Sequence, residues 1–220
     1  MVIESYKILK TDPAIIEVYF KPFSDDIIEQ IYAEEKFVHL SFTNLILESG
    51  RYQYITKEKY SDNWQFVCNY ITSAYKDITK IFLELDRKRY PVMWDEGNKK
   101  TNDYFFDAWY TCNNLDKHQY FSICRDTKGF QQGQHLDNHF VLWAGIVNLK
   151  DNKTGTCHWL EKAPFGQDAF RIPHYFQASG NKMVGTFWIN TEYTWHGVRP
   201  IEEDRYIALC NQMLIGTWAE

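Results

Sequence analysis

The hydrophobic pattern of this chain changes near its midpoint, and this change constrains the fold more than any other feature. From Trp64 to Leu85, apolar residues recur at spacings of three and four, which predicts a long amphipathic helix after Ser61. From about residue 104, short apolar segments alternate with turn-forming stretches. These segments predict strands near 104–111, 119–125, 139–149, 155–161, 183–190 and 205–214. Helices followed by a run of strands favour an α+β fold whose second half is a sandwich or barrel.

Two shorter segments near the N-terminus add to this pattern. The run Ala14–Phe20 is rich in β-branched and aromatic residues and lies between two prolines, which predicts a strand. Ser24, followed by two aspartates, is typical of a helix N-cap and first turn, so we expect a short helix there. The long helix after Ser61 is expected to pack on one face of a sheet. A coiled coil is the alternative, but the apolar pattern ends at 86–88.

Length and composition limit the class of protein. The chain has 220 residues, of which 45% are hydrophobic and 24% charged, as is ordinary for a soluble protein, and we expect a single domain over 1–220. No stretch approaches the roughly 20 apolar residues of a membrane span. A net charge of −5 argues against a nucleic-acid partner, because binding through phosphates needs a concentrated positive surface.

Cysteine usage and the N-terminus predict the compartment. The five cysteines are an odd number, widely spaced and without a C-x-x-C pair, which indicates free thiols rather than disulfides or a zinc knuckle. The first ten residues carry charges within their apolar stretch and contain no small-residue cleavage site, unlike a secretory signal. We therefore expect a cytoplasmic protein.

The segment His135-Leu136-Asp137 is the first candidate for chemistry. In an extended chain, residues two apart point to the same side, so the imidazole and the carboxylate would face one point and form a pair of metal ligands. A motif this short is weak evidence by itself. The alternative is a surface turn closed by Asp137 and Asn138.

A second histidine and an arginine strengthen the metal hypothesis. His196 follows a hydrophobic strand and precedes Gly197-Val198, and Arg205 begins the next apolar strand. Two histidines and one carboxylate form the facial triad of non-haem iron oxygenases, which leaves coordination positions open. An arginine nearby supplies a planar cation that binds a carboxylate through two hydrogen bonds. The alternative for Arg205 is an ordinary ion pair with Glu202, Glu203 or Asp204.

The order of these motifs resembles a known family. H-x-D at 135–137, a strand at 140–149, a turn at Gly155-Thr156, H-G-V at 196–198 and Arg205 on the next strand are similar to the Fe(II)/2-oxoglutarate-dependent dioxygenases. The resemblance is greatest to the prolyl-4-hydroxylase-like branch, and it covers roughly residues 119–214. H-x-D alone is unspecific, whereas its combination with H-G-V and the spaced arginine is fairly specific.

The resemblance implies a fold and an activity. It implies that His135, Asp137 and His196 hold Fe(II) and that Arg205 binds the distal carboxylate of the cosubstrate 2-oxoglutarate. O₂ would be the second cosubstrate, ascorbate a possible stimulant, and hydroxylation of an unactivated C–H bond the outcome. The implied fold is a double-stranded β-helix (jelly-roll or cupin-like) core over 111–220, with an N-terminal strand and supporting helices over 1–110.

The sequence also departs from the branch. Many members place a tyrosine on the strand after H-x-D to assist the arginine, and the stretch Ile146-Val147-Asn148 offers none. The usual double glycine is replaced by Thr154-Gly155. Hydroxyl groups of Thr156, Tyr120 and Thr194 are our candidates for the missing cofactor contacts.

The substrate is the least determined part of the hypothesis. The branch favours a peptidyl residue such as proline, and a free amino acid or other small metabolite is the alternative. A non-catalytic cupin-like metal-binding module is the alternative from another class. The long stretch from about 161 to 181 is a candidate for binding substrate. The substrate-binding candidates are Arg171, His174, Tyr175 and Arg199, and the weaker rivals for the third metal ligand are His158 and His174.

Overall fold

The fold was analysed in a computed structural model that describes residues 2–40, 50–89, 119–138, 141–159, 161–164, 176–191 and 193–213, with the backbone alone for 86–89. The described helices are α1 (Asp25–Tyr32), α2 (Asp62–Thr72) and α3 (Tyr75–Arg89). The described strands are β1 (Ile3–Thr11), β2 (Ala14–Phe20), β3 (Phe37–His39), β4 (Arg51–Tyr54), β5 (Gln119–Asp126), β6 (Gln132–His135), β7 (Val141–Asn148), β8 (Cys157–Trp159), β9 (Phe176–Gln177), β10 (Val184–Ile189), β11 (Trp195–Val198) and β12 (Arg205–Met213).

The strands form two antiparallel sheets. The larger sheet has the order β1-β2-β10-β7-β12-β5-β4-β3, and the smaller has the order β6-β11-β8-β9. Strands β1 to β4, from the N-terminal part of the chain, form both edges of the larger sheet. Strands β5, β7, β10 and β12 form its centre. The N-terminal part therefore contributes strands to this sheet as well as helices.

One face of the larger sheet is covered by the helices. Ile28 and Ile31 of α1, Val67 and Ile71 of α2, and Tyr75, Ile78 and Phe82 of α3 are buried in one cluster with the helix-facing side chains of the sheet. Trp143 of β7 lies at the centre of this layer, 4.8 Å from the Tyr75 ring. Its indole Nε1 donates to Thr79 Oγ1 at 2.9 Å, so the buried indole N–H is paired.

The segment after Ser61 forms two helices, and the prediction of one long helix was wrong in this respect. Ser61 caps α2, and its Oγ accepts from the backbone N–H of Trp64 at 3.3 Å. At the end of α2, the Thr72 hydroxyl donates to the Cys68 carbonyl and the Ser73 hydroxyl donates to that of Tyr70. Hydroxyl groups that bond to their own helix's carbonyls compete with helix continuation. The apolar spacing continues across the break because α2 and α3 bury their side chains against the same sheet.

Most of the predicted strands and the short helix are confirmed. Strand β2 has the predicted bounds, and β5, β7, β10 and β12 agree to within two residues. Strand β8 is shorter than predicted, at Cys157–Trp159. Helix α1 begins after Ser24, whose side chain accepts from the Asp26 N–H. The strand predicted at 104–111 lies outside the described residues.

Strand β12 shows how side chains divide between the two faces of the larger sheet. Tyr206, Ala208 and Cys210 face the helix layer, whereas Ile207 belongs to the second apolar cluster. Leu209 and Asn211 line a cavity on the same side as Ile207. This period-2 alternation places odd-numbered positions of β12, from Arg205 onwards, on the side that faces the smaller sheet.

Two further observations concern thiols and apolar helices. Cys68, Cys124, Cys157 and Cys210 are free thiols, as predicted; Cys112 lies outside the described residues. Across the described ranges, no helix combines the length and the apolar character that a membrane crossing requires.

Candidate metal centre

A cavity of about 110 Å³ lies between the two sheets. The larger sheet lines it with Ala144, Ile146, Trp188 and Leu209, which form an apolar wall. Its polar lining residues are Arg51, Tyr120, Gln132, His135, Asp137, Thr156, His196 and Asn211. An apolar pocket with a few convergent polar groups is the usual form of a small-molecule site.

Three of the predicted residues converge in this cavity. His135 ends β6, Asp137 follows two residues later, and His196 lies in β11 directly opposite His135 in the antiparallel pair. One ligand atom from each lies within 4.8 Å of the others. Asp137 Oδ2 is 3.6 Å from His196 Nε2. Among the described residues, this is the group of His, Cys, Asp or Glu side chains whose spacing suits a metal ion.

Glycine 197 allows β11 to lie close enough to β6 for this convergence. A Cβ on Gly197 would stand 2.7 Å from the carbonyl oxygen of Gln132 and 3.0 Å from that of Gly133. Both contacts are with backbone, which cannot move aside without disrupting the strand pair. Steric constraints therefore require glycine directly after His196, since a larger residue would push the two histidines apart.

Backbone carbonyls fix the orientation of both imidazoles. His135 Nδ1 lies 2.9 Å from the Gly133 carbonyl oxygen, and His196 Nδ1 lies 3.0 Å from that of Thr194. A carbonyl oxygen only accepts hydrogen bonds, so each Nδ1 carries the proton and each Nε2 presents a lone pair. This arrangement is characteristic of metal-binding histidines.

The carboxylate of Asp137 is held from the opposite sheet. Trp188, on β10, donates its indole N–H to Asp137 Oδ2 at 3.1 Å. The Trp188 ring also lies 4.5 Å from that of His196, measured between centroids. One side chain of the larger sheet therefore contacts two of the three candidate ligands.

Burial keeps the candidate ligand His196 neutral. Burial, partly offset by the negative charge of Asp137 and reinforced by His135, lowers the pKa of His196 from 6.5 to about 4. A neutral imidazole is the form that binds a metal, so protons do not compete with a metal for His196 at neutral pH.

Gln132 contacts one of the candidate ligands. Its amide Nε2 lies 3.2 Å from His135 Nε2, and its Oε1 accepts from Arg51 Nη1 at 3.5 Å. Because His135 Nδ1 carries the proton, the amide N–H points at the same lone pair that a metal would use. Gln132 is thus both a neighbour of the ligand and a link to the arginine.

His158 lies beside this group without belonging to it. It is paired with His196 across β8 and β11, with 6.1 Å between the ring centroids. It is fully buried, and neither ring nitrogen has a hydrogen-bond partner among the described residues. Burial first, and then the neighbouring His196, lower its pKa well below 6.5. The other rival, His174, lies outside the described residues.

Arg205 forms a buried ion pair, but with a partner that the sequence analysis did not name. Its side chain is buried, and its Nη2 and Nε donate to Asp126 Oδ2 at 2.6 and 3.1 Å. It does not line the cavity, and its partner is Asp126 rather than Glu202, Glu203 or Asp204. Asp204 instead accepts from Arg125.

Of the other residues predicted to bind cofactor or substrate, some line the cavity and some do not. Thr156 and Tyr120 both line the cavity, and the Tyr120 hydroxyl accepts from Gln53 Nε2 at 3.2 Å. Arg199 follows β11 and does not line the cavity. Arg171, His174 and Tyr175 lie outside the described residues.

Four residues of the site were missed by sequence reasoning: Arg51, Gln132, Trp188 and Asn211. Gln132 and Trp188 lie close to the motifs at 135–137 and 196–198, and each belongs to a strand that faces the cavity. Arg51 lies far from both motifs in the sequence. The one signal it offers is a charged residue at the start of an aromatic, strand-like run, Arg51–Tyr54, which is too common to identify a site.

Comparisons with solved structures give neighbours at low identity. The chain is similar to a Pseudomonas putida prolyl-4-hydroxylase, with 12% identity, a TM-score of 0.49, and coverage of 95% of this chain and 91% of the other. It is similar to the viral collagen prolyl hydroxylase of Paramecium bursaria Chlorella virus-1, solved as a 2OG complex, with 12% identity, a TM-score of 0.47 and 96% coverage of both chains.

A third neighbour is a Trichoplax adhaerens prolyl hydroxylase, solved with a hypoxia inducible factor peptide fragment. It has 12% identity, a TM-score of 0.46, and coverage of 86% of this chain and 76% of the other. No protein-family model matches the chain, and neither does any curated protein. The chemistry of the site is therefore argued from the side chains described above.

Proposed function

We propose that this protein is an Fe(II)- and 2-oxoglutarate-dependent oxygenase that hydroxylates an unactivated C–H bond. The observation that carries the proposal is the convergence of His135, Asp137 and His196, whose ligand atoms lie within 4.8 Å of one another. Two imidazoles and one carboxylate are the donor set of the facial triad of non-haem iron enzymes. The two Nδ1–carbonyl contacts support it, because they leave both Nε2 atoms ready to bind a metal.

The double-stranded β-helix is part of this proposal. Two antiparallel sheets with a cavity between them are what such a fold requires. The triad belongs to the smaller sheet and the loop after β6, whereas the larger sheet supplies the opposite wall. This placement supports an oxygenase core built around the cavity.

The cofactors implied by the site are ferrous iron, 2-oxoglutarate and O₂. Together they supply the oxidising power for C–H hydroxylation, which protein side chains lack. His135, Asp137 and His196 hold the metal in the proposal. Arg205 and Arg51, which both donate to the buried Asp126, supply positive charge for the second carboxylate of 2-oxoglutarate. Thr156 and Tyr120 offer hydroxyl groups along the cavity.

The remaining residues position these groups and exclude water. Trp188 holds the Asp137 carboxylate, and the carbonyls of Gly133 and Thr194 hold the two rings. Ala144, Ile146 and Leu209 form an apolar wall, which limits the access of water to the metal and strengthens electrostatic contacts within the cavity.

The proposed substrate is a peptidyl residue such as proline. The basis is the resemblance of the H-x-D and H-G-V motifs to the prolyl-4-hydroxylase-like branch. This part of the proposal is tested by mass spectrometry after incubation with cell extract. A peptide pool that gains one oxygen supports a protein hydroxylase. A metabolite pool that gains it instead supports the alternative, a hydroxylase of a free amino acid or other small molecule.

The central experiment measures the visible spectrum of the protein with Fe(II) and 2-oxoglutarate under anaerobic conditions, followed by succinate formation in air with ascorbate. We expect a charge-transfer band and succinate release. His135→Ala should abolish both by removing a metal ligand, whereas Arg205→Ala should keep iron and weaken 2-oxoglutarate binding. Equal losses in both variants would contradict the roles assigned.

A variant of the neighbouring His158 serves as a matched control for metal binding by the triad. His158 is buried and adjacent to His196 but lies outside the group, so His158→Ala should retain iron binding. A protein that binds iron through the triad but neither binds 2-oxoglutarate nor releases succinate would be a metal-binding module without turnover, and the enzyme proposal would then be wrong.

A further inference from the structure

A row of three charged side chains crosses the larger sheet next to the candidate metal centre. Arg51 of β4, Asp126 of β5 and Arg205 of β12 are direct partners in the strand register. Arg51 donates to the two Asp126 oxygens at 2.7 and 3.0 Å. Arg205 donates to Asp126 Oδ2 at 2.6 and 3.1 Å. All three are buried, with Asp126 0% and Arg205 1% exposed.

This row holds one more positive charge than negative. Burial raises the pKa of Asp126, but the two guanidinium groups more than reverse this and lower it overall, so the carboxylate stays ionised. A buried charge without a counter-charge is strongly unfavourable, because it has lost its hydration without gaining an ionic partner. An anionic ligand in the adjoining cavity would provide the missing counter-charge.

The two arginines differ in their access to the cavity. Of the described residues that line it, Arg51 alone carries a positive charge, and Arg205 does not line it. The Nη1 of Arg51 meets Gln132 Oε1 at 3.5 Å, the long limit of a hydrogen bond, so a stronger acceptor can replace this contact. The guanidinium lies 5.0 Å from the centre of the Phe130 ring, which orients its plane.

We propose that Arg51, rather than Arg205, contacts the distal carboxylate of the cosubstrate, and that Arg205 positions Arg51 through their shared partner Asp126. This inference rests on the proposed function. It assigns the cosubstrate's anchor to a strand outside the segment that carries the sequence resemblance.

The charge count indicates a dianion. With ferrous iron on the triad, the iron contributes two positive charges and the two arginines one each, while Asp126 and Asp137 each remove one. The triad with its metal and the adjoining row of Arg51, Asp126 and Arg205 would then carry two net positive charges. A dianion neutralises them, whereas a monoanionic keto acid leaves one buried charge without a partner.

The test measures binding rather than turnover. Isothermal titration of the Mn(II)-loaded protein compares 2-oxoglutarate with 2-oxopentanoate, which has the same chain length but lacks the second carboxylate. The variants are Arg51→Gln, Arg51→Lys and Arg205→Gln. Arg51→Gln and Arg205→Gln each remove one positive charge beside the Asp126 carboxylate. Each variant keeps one arginine paired with Asp126, so the remaining pair has no net charge. Both are therefore expected to fold, which thermal unfolding checks.

We expect the wild type to prefer 2-oxoglutarate and Arg51→Gln to lose about 30-fold of that preference, the usual scale of a charge-assisted hydrogen bond. The loss should include weaker 2-oxoglutarate binding, and the 2-oxopentanoate affinity of Arg51→Gln should not fall. Arg51→Lys should restore part of the preference, and Arg205→Gln should lose less than Arg51→Gln. Equal losses in Arg51→Gln and Arg205→Gln, or a retained preference in Arg51→Gln, would overturn the inference and leave the proposed function intact. A Mn(II)-loaded wild type that binds neither acid would instead overturn the proposed function, and the inference with it.

Discussion

The indole N–H of Trp188 donates to Oδ2 of Asp137 at 3.1 Å, and this hydrogen bond joins the two sheets at the candidate metal centre. Trp188 lies at the end of β10 in the larger sheet, whereas Asp137 follows β6 of the smaller one. The position of the carboxylate relative to the histidines therefore depends on how the two sheets pack.

Replacing Trp188 with phenylalanine should weaken metal binding about tenfold. The ring is retained but the donor is lost, and the loss of a hydrogen bond to a ligand typically lowers metal affinity roughly 10- to 100-fold. Titration with Co(II), followed by visible absorption, measures the change. Trp143→Phe is the matched control, because its indole N–H bonds Thr79 in the helix layer. It should lower stability but leave metal affinity unchanged, and an equal loss in both variants would contradict the role given to Trp188.

Replacing Gln132 with leucine should strengthen metal binding about fivefold. The Gln132 amide lies 3.2 Å from His135 Nε2, so a metal that binds this nitrogen has to displace a hydrogen bond whose net strength is about 1 kcal/mol. The same Co(II) titration measures the effect. Gln134→Leu is the control, since Gln134 bonds to the backbone of Glu161 and Ala163 instead. An affinity for Co(II) that falls in Gln132→Leu would show that the amide supports the metal site.

Replacing Asp126 with asparagine should lower the free energy of unfolding by about 3–5 kcal/mol at pH 7, because two buried guanidinium groups lose their common counter-charge. The two arginines hold the pKa of Asp126 below its usual value despite its burial. The contribution is therefore complete above the unfolded pKa, about 3.9, and is lost as the pH falls through the folded pKa.

Urea denaturation at several pH values measures this difference, which should shrink in strongly acidic buffer. Asp204→Asn is the control, because Asp204, directly before β12, pairs with Arg125 of β5 at a partly exposed site. Exposed ion pairs contribute about 0–1 kcal/mol. A loss in Asp126→Asn no larger than in Asp204→Asn would contradict the importance given to the buried row.

Replacing Gly145 with alanine should destabilise the fold by about 1–3 kcal/mol, the cost of overpacking a core. A Cβ at this position would lie 2.1 Å from Cδ1 of Phe187, the paired residue on β10, whose ring is fully buried. Phe187→Leu makes room, so the double variant should lose less stability than the sum of the two single losses. Additive losses, measured by urea denaturation, would show that the ring is not the obstacle.

The predicted secondary structure was mostly correct in the part of the chain that the structure describes, for a local reason. Strands such as β2 and β7 are nearly continuous apolar runs bounded by turns, and short-range composition is enough to identify them. The break between α2 and α3 was missed because apolar spacing reports which face is buried and not whether the helix continues. Strands β3 and β9 are too short, at Phe37–His39 and Phe176–Gln177, to show a period.

The sequence by itself determined which residue types are available for a metal centre and where the H-x-D and H-G-V motifs lie. These features are local, since the chemistry of a side chain and a spacing of two residues do not depend on the rest of the fold. Only the tertiary structure decided that Asp126 lies between Arg51 and Arg205, its partners at separations of 75 and 79 residues. The order and register of β4, β5 and β12 set this contact, because strand pairing brings together residues whose separation along the chain carries no signal.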